Sequence, residues 1–214
     1  METTGVLFDL DGVLVDTEGL YSKFWTEIGE NRYPRGIEDF ANVIKGNTLE
    51  VILSTHFPDK EMQDKIVSEL KEYEAAMPYE LFAGAERLLI RLREAHIPCA
   101  IVTSSGPVKM GMLFDRIAGF RDYFSAVLTD ADITRSKPDP QGYLLAAKAI
   151  DREIGNCFVI EDSFAGMAAG MASGATTIGL ATTNSRAAIA GRAHAIFDSI
   201  ADLTPEVLFA SRKH

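Results

Sequence analysis

Asp9 and Asp11 are the residues in this chain best placed to do chemistry. They lie in Phe8-Asp9-Leu10-Asp11-Gly12-Val13-Leu14-Val15-Asp16, directly after the apolar run Gly5-Val6-Leu7-Phe8. Side chains spaced i, i+2 at a strand end point the same way. Two carboxylates brought together repel, so the pair calls for a cation or for a proton held on one of them. Gly12 permits a tight turn immediately afterwards. Asp-x-Asp alone is common in solvated turns, but set between an apolar strand and Gly-x-Leu-x-Asp it is a far more particular pattern.

Two further polar clusters follow apolar runs in the same manner, and a third lies in a proline-rich loop between them. Val102-Thr103-Ser104-Ser105-Gly106-Pro107 offers hydroxyls and backbone N–H groups ahead of a helix. That is the makeup of an anion cradle, and equally of a Ser/Thr N-cap for a helix starting near Pro107. Ser136-Lys137-Pro138-Asp139-Pro140 sets a lysine before two prolines that stiffen the backbone and start a helix near Pro140. Held in this way, Lys137 can serve as a point charge for phosphate. Ile160-Glu161-Asp162-Ser163 places two acids at a helix start, where they can cap the helix and complement its dipole or act as hard oxygen ligands for Mg2+. Singly, capping explains these two. Beside the Asp9/Asp11 pair it does not, because all four clusters fall at the C-terminal ends of strands in one sheet.

The elements that must position these residues follow a regular rhythm. Short apolar runs at 5–8, 100–102, 126–128, 158–160 and 176–178, with a weaker edge at 195–197, alternate with helical stretches such as Ala85–Ala95, Gln141–Ile150 and Ser163–Ala172. Continuous apolar strands joined by helices indicate a parallel sheet covered on both faces. The predicted fold class is therefore α/β, a doubly wound Rossmann-like core with ligands at the strand C-termini. Residues 18–80 break the rhythm. They show only helical periodicity, with starts near Tyr21, Ile37, Thr48 and Asp59. A crossover does not need about 60 residues, so this stretch reads as an inserted small α-helical domain. The predicted division is a core of 1–17 with 81–214 and an insertion of 18–80.

Composition sets the outer bounds. The chain has 214 residues, 47% hydrophobic and 24% charged, with a formal charge of −10, as expected of a soluble globular protein. The acidity argues against nucleic acid, which needs basic patches, and against anionic membrane surfaces. An anionic ligand would then need a local device such as a metal, a lysine or helix N-termini. Cys99 and Cys157 lie within apolar runs and read as buried hydrophobes. With no signal-peptide pattern and no membrane-spanning apolar run, the expected location is cytoplasmic and the expected state a monomer.

In this order, the four clusters resemble the motifs of the haloacid dehalogenase superfamily, over nearly the whole chain. Asp9-Leu10-Asp11-Gly12 looks like the first motif and Thr103 the second. Lys137 with Pro138-Asp139-Pro140 and Tyr143 looks like the third, and Glu161-Asp162-Ser163 with Gly166 the fourth. The inserted helices are similar to the family's mobile cap, as in its beta-phosphoglucomutase-like subgroup. The resemblance implies a phosphohydrolase acting on a small phosphorylated metabolite, with Asp9 as nucleophile forming an aspartyl-phosphate. Asp11 would be the general acid and then base. It implies Mg2+ held by Asp9, the Asp11 backbone carbonyl and Asp162, with Glu161 binding directly or through water. Thr103 and Lys137, helped by N–H groups near Leu10 and Ser104, would hold the phosphoryl oxygens.

Dehalogenases of the family lack the second aspartate, so Asp11 argues against dehalogenation. Beta-phosphoglucomutase carries a cap histidine where this chain has Tyr21, and a cap arginine shortly after a Lys-Gly pair. Here Lys45-Gly46 is followed by Asn47-Thr48-Leu49. These departures favour hydrolysis over a mutase. Glu18 and Tyr21 either face substrate or pack the cap hinge, and Lys45, Gly46 and Asn47 either meet the leaving group or form a solvated loop tip. A receiver-like signalling module that binds Mg2+ and phosphate is the non-enzymatic alternative.

Overall fold

The computed structural model describes residues 3–44 and 49–212. It divides the chain into two compact units, Met1–Asp16 with Tyr79–His214, and Thr17–Pro78. The first unit contains strands β1 (Gly5–Phe8), β2 (Cys99–Val102), β3 (Ala126–Leu128), β4 (Cys157–Glu161), β5 (Thr176–Leu180) and β6 (Ala195–Phe197). All neighbouring strands pair in parallel, in the order β3-β2-β1-β4-β5-β6. The expected doubly wound sheet is present, and its order is the dinucleotide-fold order, not the flavodoxin-like order of receiver domains. Each strand lies within two residues of its expected position.

The helices of the second unit are α1 (Glu18–Thr26), α2 (Phe40–Val43), α3 (Leu49–His56) and α4 (Lys60–Ala76). Those of the first are α5 (Ala85–Glu94), α6 (Pro107–Arg116), α7 (Gln141–Ala149), α8 (Phe164–Ser173), α9 (Arg186–Ile189) and α10 (Pro205–Ala210). Strand alternation assigns the two faces of the sheet. Leu7 and Val159 pack with Tyr143, Ala146 and Ala147 of α7 and Ala169 of α8 in one buried cluster. Phe8 and Phe158 point the other way, Phe8 edge-on to Phe124 and Phe158 edge-on to Phe209 of α10. Asp9 and Glu161 continue the parity of Leu7 and Val159, which directs both carboxylates to the α7 side.

Within the second unit, Phe24, Trp25, Ile28, Phe40, Phe57, Ile66 and Leu70 form a separate buried cluster. Asp59 caps α4 by accepting from the Met62 N–H at 2.9 Å. Helix α1 begins at Glu18, earlier than expected, and continues as a π-helical stretch over Glu27–Arg32. Among the described residues, no helix is long and apolar enough to cross a membrane.

Candidate active site

β1 runs into a tight turn in which the N–H groups of Val13, Leu14 and Val15 all converge on the Leu10 carbonyl. Gly12 sits there at φ +80°, and any side chain would collide with the Asp162 carboxylate. The turn therefore requires glycine for both its backbone angle and its closeness to the fourth cluster. Asp9, at the strand end, is 9% exposed.

Lys137 reaches Asp9 from the loop before α7. That loop is pinned by Gln141, whose Oε1 accepts from the N–H groups of Thr134 and Arg135 at 2.9 and 2.7 Å. The ammonium donates to Asp9, to Glu161 Oε1 at 2.7 Å and to the Val102 carbonyl at 3.1 Å. Glu161 is fully buried and accepts on both oxygens. Tyr143 Oη donates to Oε1 at 2.7 Å, while the N–H groups of Asp162 and Ser163 and the Ser163 hydroxyl donate to Oε2 at 3.0, 3.1 and 3.0 Å. The N-cap of α8 is Ser163, which accepts from Gly166 N–H at 3.0 Å. Neither acid caps the helix with its side chain, so the capping explanation for Glu161 and Asp162 falls. Gly166 is the reason α8 fits, since a Cβ there would lie inside the Glu161 carboxylate.

The second cluster also differs from its simpler reading. α6 starts from Gly106 with Pro107 in its first turn, and no hydroxyl caps it. Thr103, 2% exposed, accepts from Ser105 N–H at 3.0 Å, while Ser104 is exposed. Ser105 Oγ instead donates to Asp11 Oδ2 at 3.0 Å. Lys109, 5% exposed on α6, donates to both Asp11 oxygens at 2.8 Å. Lys109 has no place among the residues expected from the sequence, and Ser105 is expected there only as one of the cradle or cap hydroxyls. Nor is the loop after β5 expected there, where Thr182 donates to the Gly12 carbonyl and Asn184 Nδ2 to the Asp162 carbonyl at 3.1 Å. A Thr-Thr-Asn run at a strand C-terminus could have flagged that loop.

In the second unit, Tyr21 Oη donates to Glu74 at 2.7 Å, and Glu18 opens α1. Lys45, Gly46 and Asn47 lie outside the described residues.

The electrostatics of the strand-end cluster are those of a cation site. Asp9, Glu161 and Asp162 each offer an oxygen within 4.8 Å of the others. Burial, with the Glu161 and Asp11 charges, pushes Asp9 up to about 7 despite Lys137. Burial and the charges of Glu161 and Asp9 raise Asp162 well above the carboxylate range, offset only in part by Thr183 and Lys137. Glu161 goes the other way: burial would raise it, but Lys137, Tyr143 and the Ser163 N–H outweigh that and lower it. With all three carboxylates ionised, one ammonium would leave two negative charges unbalanced. Hard oxygen donors with that residual charge fit Mg2+.

The haloacid dehalogenase-like hydrolase family model matches residues 3–174. Hexitol phosphatase A of Escherichia coli is 33% identical over 183 residues, covering 83% of both chains. Beta-phosphoglucomutase of Bacillus subtilis is 29% identical over 188 residues, covering 82% of both. In fold, the chain is similar to a family IA, variant 3 HAD hydrolase from Entamoeba histolytica, with a TM-score of 0.84 at 24% identity over 99% of this chain and 100% of that one. With its core motifs assembled at one sheet edge and a family model spanning most of its length, the chain belongs to the haloacid dehalogenase-like hydrolases.

Proposed function

We propose that the protein is a Mg2+-dependent phosphatase that hydrolyses a small phosphorylated metabolite of the sugar-phosphate class through an aspartyl-phosphate on Asp9. The phosphatase class follows from the family and from the phosphatases among its relatives. The observation that carries the finer reading is the convergence of Asp9, Asp162, Glu161 and Lys137 at the ends of β1 and β4. A sugar or polyol phosphate is favoured by the hexitol phosphatase relative. Thr17–Pro78 is the family's inserted cap in this reading, and Glu18, Tyr21, Lys45, Gly46 and Asn47 are its candidate specificity residues.

Asp9 attacks the phosphorus while Asp11 gives a proton to the leaving oxygen, so the ester bond breaks as the acyl phosphate forms. Asp11 then takes a proton from water, which attacks the same phosphorus and returns Asp9 as a carboxylate with release of inorganic phosphate. Lys137 and Thr103, with backbone N–H groups near Leu10 and Ser104, hold the phosphoryl oxygens. Asp9, Asp162 and the Asp11 carbonyl would hold Mg2+, with Glu161 behind them fixing Lys137. When bound, the ion offsets charge on the phosphoryl group.

A mutase is the second reading, favoured by the identity to beta-phosphoglucomutase. Tyr21 and the absence of an arginine after Lys45-Gly46 weigh against it. One experiment addresses both: incubate the protein with Mg2+ and a panel of phosphometabolites including both glucose phosphates, and follow inorganic phosphate and isomer formation. Phosphate release that is lost with EDTA and in Asp9→Asn supports the phosphatase. Isomerisation without release supports the mutase, and inactivity of the folded protein across the panel refutes both.

A further inference from the structure

Lys109 and Ser105, which both bond the Asp11 carboxylate, have no role in the mechanism above. Lys109 is the third residue of α6, where a cation faces the positive end of the helix dipole. It is also 5% exposed, and a buried charge is unfavourable unless paired. Local helix physics thus disfavours lysine at this position twice, and such violations concentrate at functional sites. What holds it there is Asp11: Nζ lies 2.8 Å from each carboxylate oxygen and 2.9 Å from Ser105 Oγ, while Ser105 Oγ lies 3.0 Å from Oδ2. Asp11 itself follows the end of β1, and its side chain is 28% exposed.

We propose that Lys109, with Ser105, is the positioning device for Asp11, fixing its carboxylate so that one group meets both the leaving oxygen and the incoming water. This rests on the reading of Asp11 as acid and base. An aspartate at the mouth of a turn has free χ1 and χ2 rotation unless something locks it. Two ammonium bonds from the first turn of α6 and one hydroxyl bond from the loop before it lock both torsions. α6 is anchored by buried Met110 and Leu113, so Lys109 stands on a fixed element and passes that precision to the reacting group. Lys109 touches Asp11 and not the substrate; it positions and does not itself transfer a proton.

The test is a double-mutant cycle of Lys109→Met and Asp11→Asn with Mg2+, using an alkyl phosphate from the active panel and p-nitrophenyl phosphate. Misplacing a reacting group by about 1 Å costs on the order of 10²-fold, so Lys109→Met should lower kcat on the alkyl substrate by about 10- to 100-fold. The loss should be smaller on the aryl substrate, whose leaving group needs no acid, and KM should stay near wild type. Lys109→Arg should recover part of the rate. In the Asp11→Asn background, Lys109→Met should cause no further loss, because the group it positions is gone. The same factor lost in both backgrounds, or an equal loss on both substrates, overturns the proposal. If Lys109→Met does not fold, Ser105→Ala runs the same cycle with a smaller effect. A wild-type protein that turns over nothing refutes the phosphatase reading, and this proposal with it. An active enzyme with a multiplicative cycle refutes this proposal alone.

Discussion

Replacing Asp9 by asparagine should abolish turnover and at the same time make the metal-free protein more stable. Burial and the neighbouring charges hold Asp9 at about 7, against 3.8 for an unperturbed carboxyl. A carboxyl whose folded pKa exceeds its unfolded value binds more protons when folded, so stability falls as pH rises through the window from 3.8 to about 7. At neutral pH that difference sets an upper bound of about 4 kcal/mol of destabilisation by the charged form. Asparagine has nearly the same shape without the charge, and Lys137 keeps Glu161 at 2.7 Å and the Val102 carbonyl at 3.1 Å. A chain of this size gains about 2–4 °C in Tm per kcal/mol, so even a quarter of the bound is measurable. Thermal unfolding in EDTA at pH 5 and pH 8, on wild type and Asp9→Asn, reads it directly. The gap should favour the variant, widen with pH and narrow on adding Mg2+, which stabilises only a protein that binds it. A variant less stable than wild type in EDTA at pH 8, or a gap independent of pH, would refute the reasoning.

Asp11→Asn should lose about 10²–10⁴-fold in kcat on an alkyl phosphate and less on an aryl phosphate, as initial rates on the two substrates will show. Asp162→Asn should raise the Mg2+ concentration needed for half-maximal activity. Glu161→Gln should instead destabilise the fold by about 3–5 kcal/mol, because it breaks a buried pair with Lys137; a Mg2+ titration and an unfolding curve on each variant separate the two. Gly166→Ala should cost about 1–3 kcal/mol by overpacking and lower kcat as well, since the new methyl displaces Glu161 and with it Lys137. Unchanged stability and rate in that variant would show that α8 can shift at no cost.

Much of the fold was legible in the sequence because strand and helix identity is written locally. Runs such as Phe158-Val159-Ile160, recurring between helical stretches, fit buried strands in a sheet covered on both sides, and Asp59 or Pro107 mark helix starts through groups one turn away. The gathering of Asp9, Lys137, Glu161 and Asp162 was legible for the same reason: each closes a strand or sits in a loop at the C-terminal edge of a parallel sheet, and that edge is common to all of them. The π-helical stretch at Glu27–Arg32 was not legible, since apolar periodicity over one turn does not distinguish neighbouring registers.

Only the tertiary structure decided which partner each polar group takes. Glu161 could have capped α8, bound metal directly or held Lys137. Five donors reach it from Lys137, Tyr143, Asp162 and Ser163, and two of these residues reach it only because α7 packs across β1, β2 and β3. Ser105 looked like a cap and instead bonds Asp11, 94 residues earlier in the chain. Lys109 carried no sign of function, being one lysine in an amphipathic helix. Its ion pair spans 98 residues and exists because β2 lies beside β1, which places the first turn of α6 against the turn after Asp9. Sequence periodicity states which face of an element is buried; the order of the strands states what it is buried against.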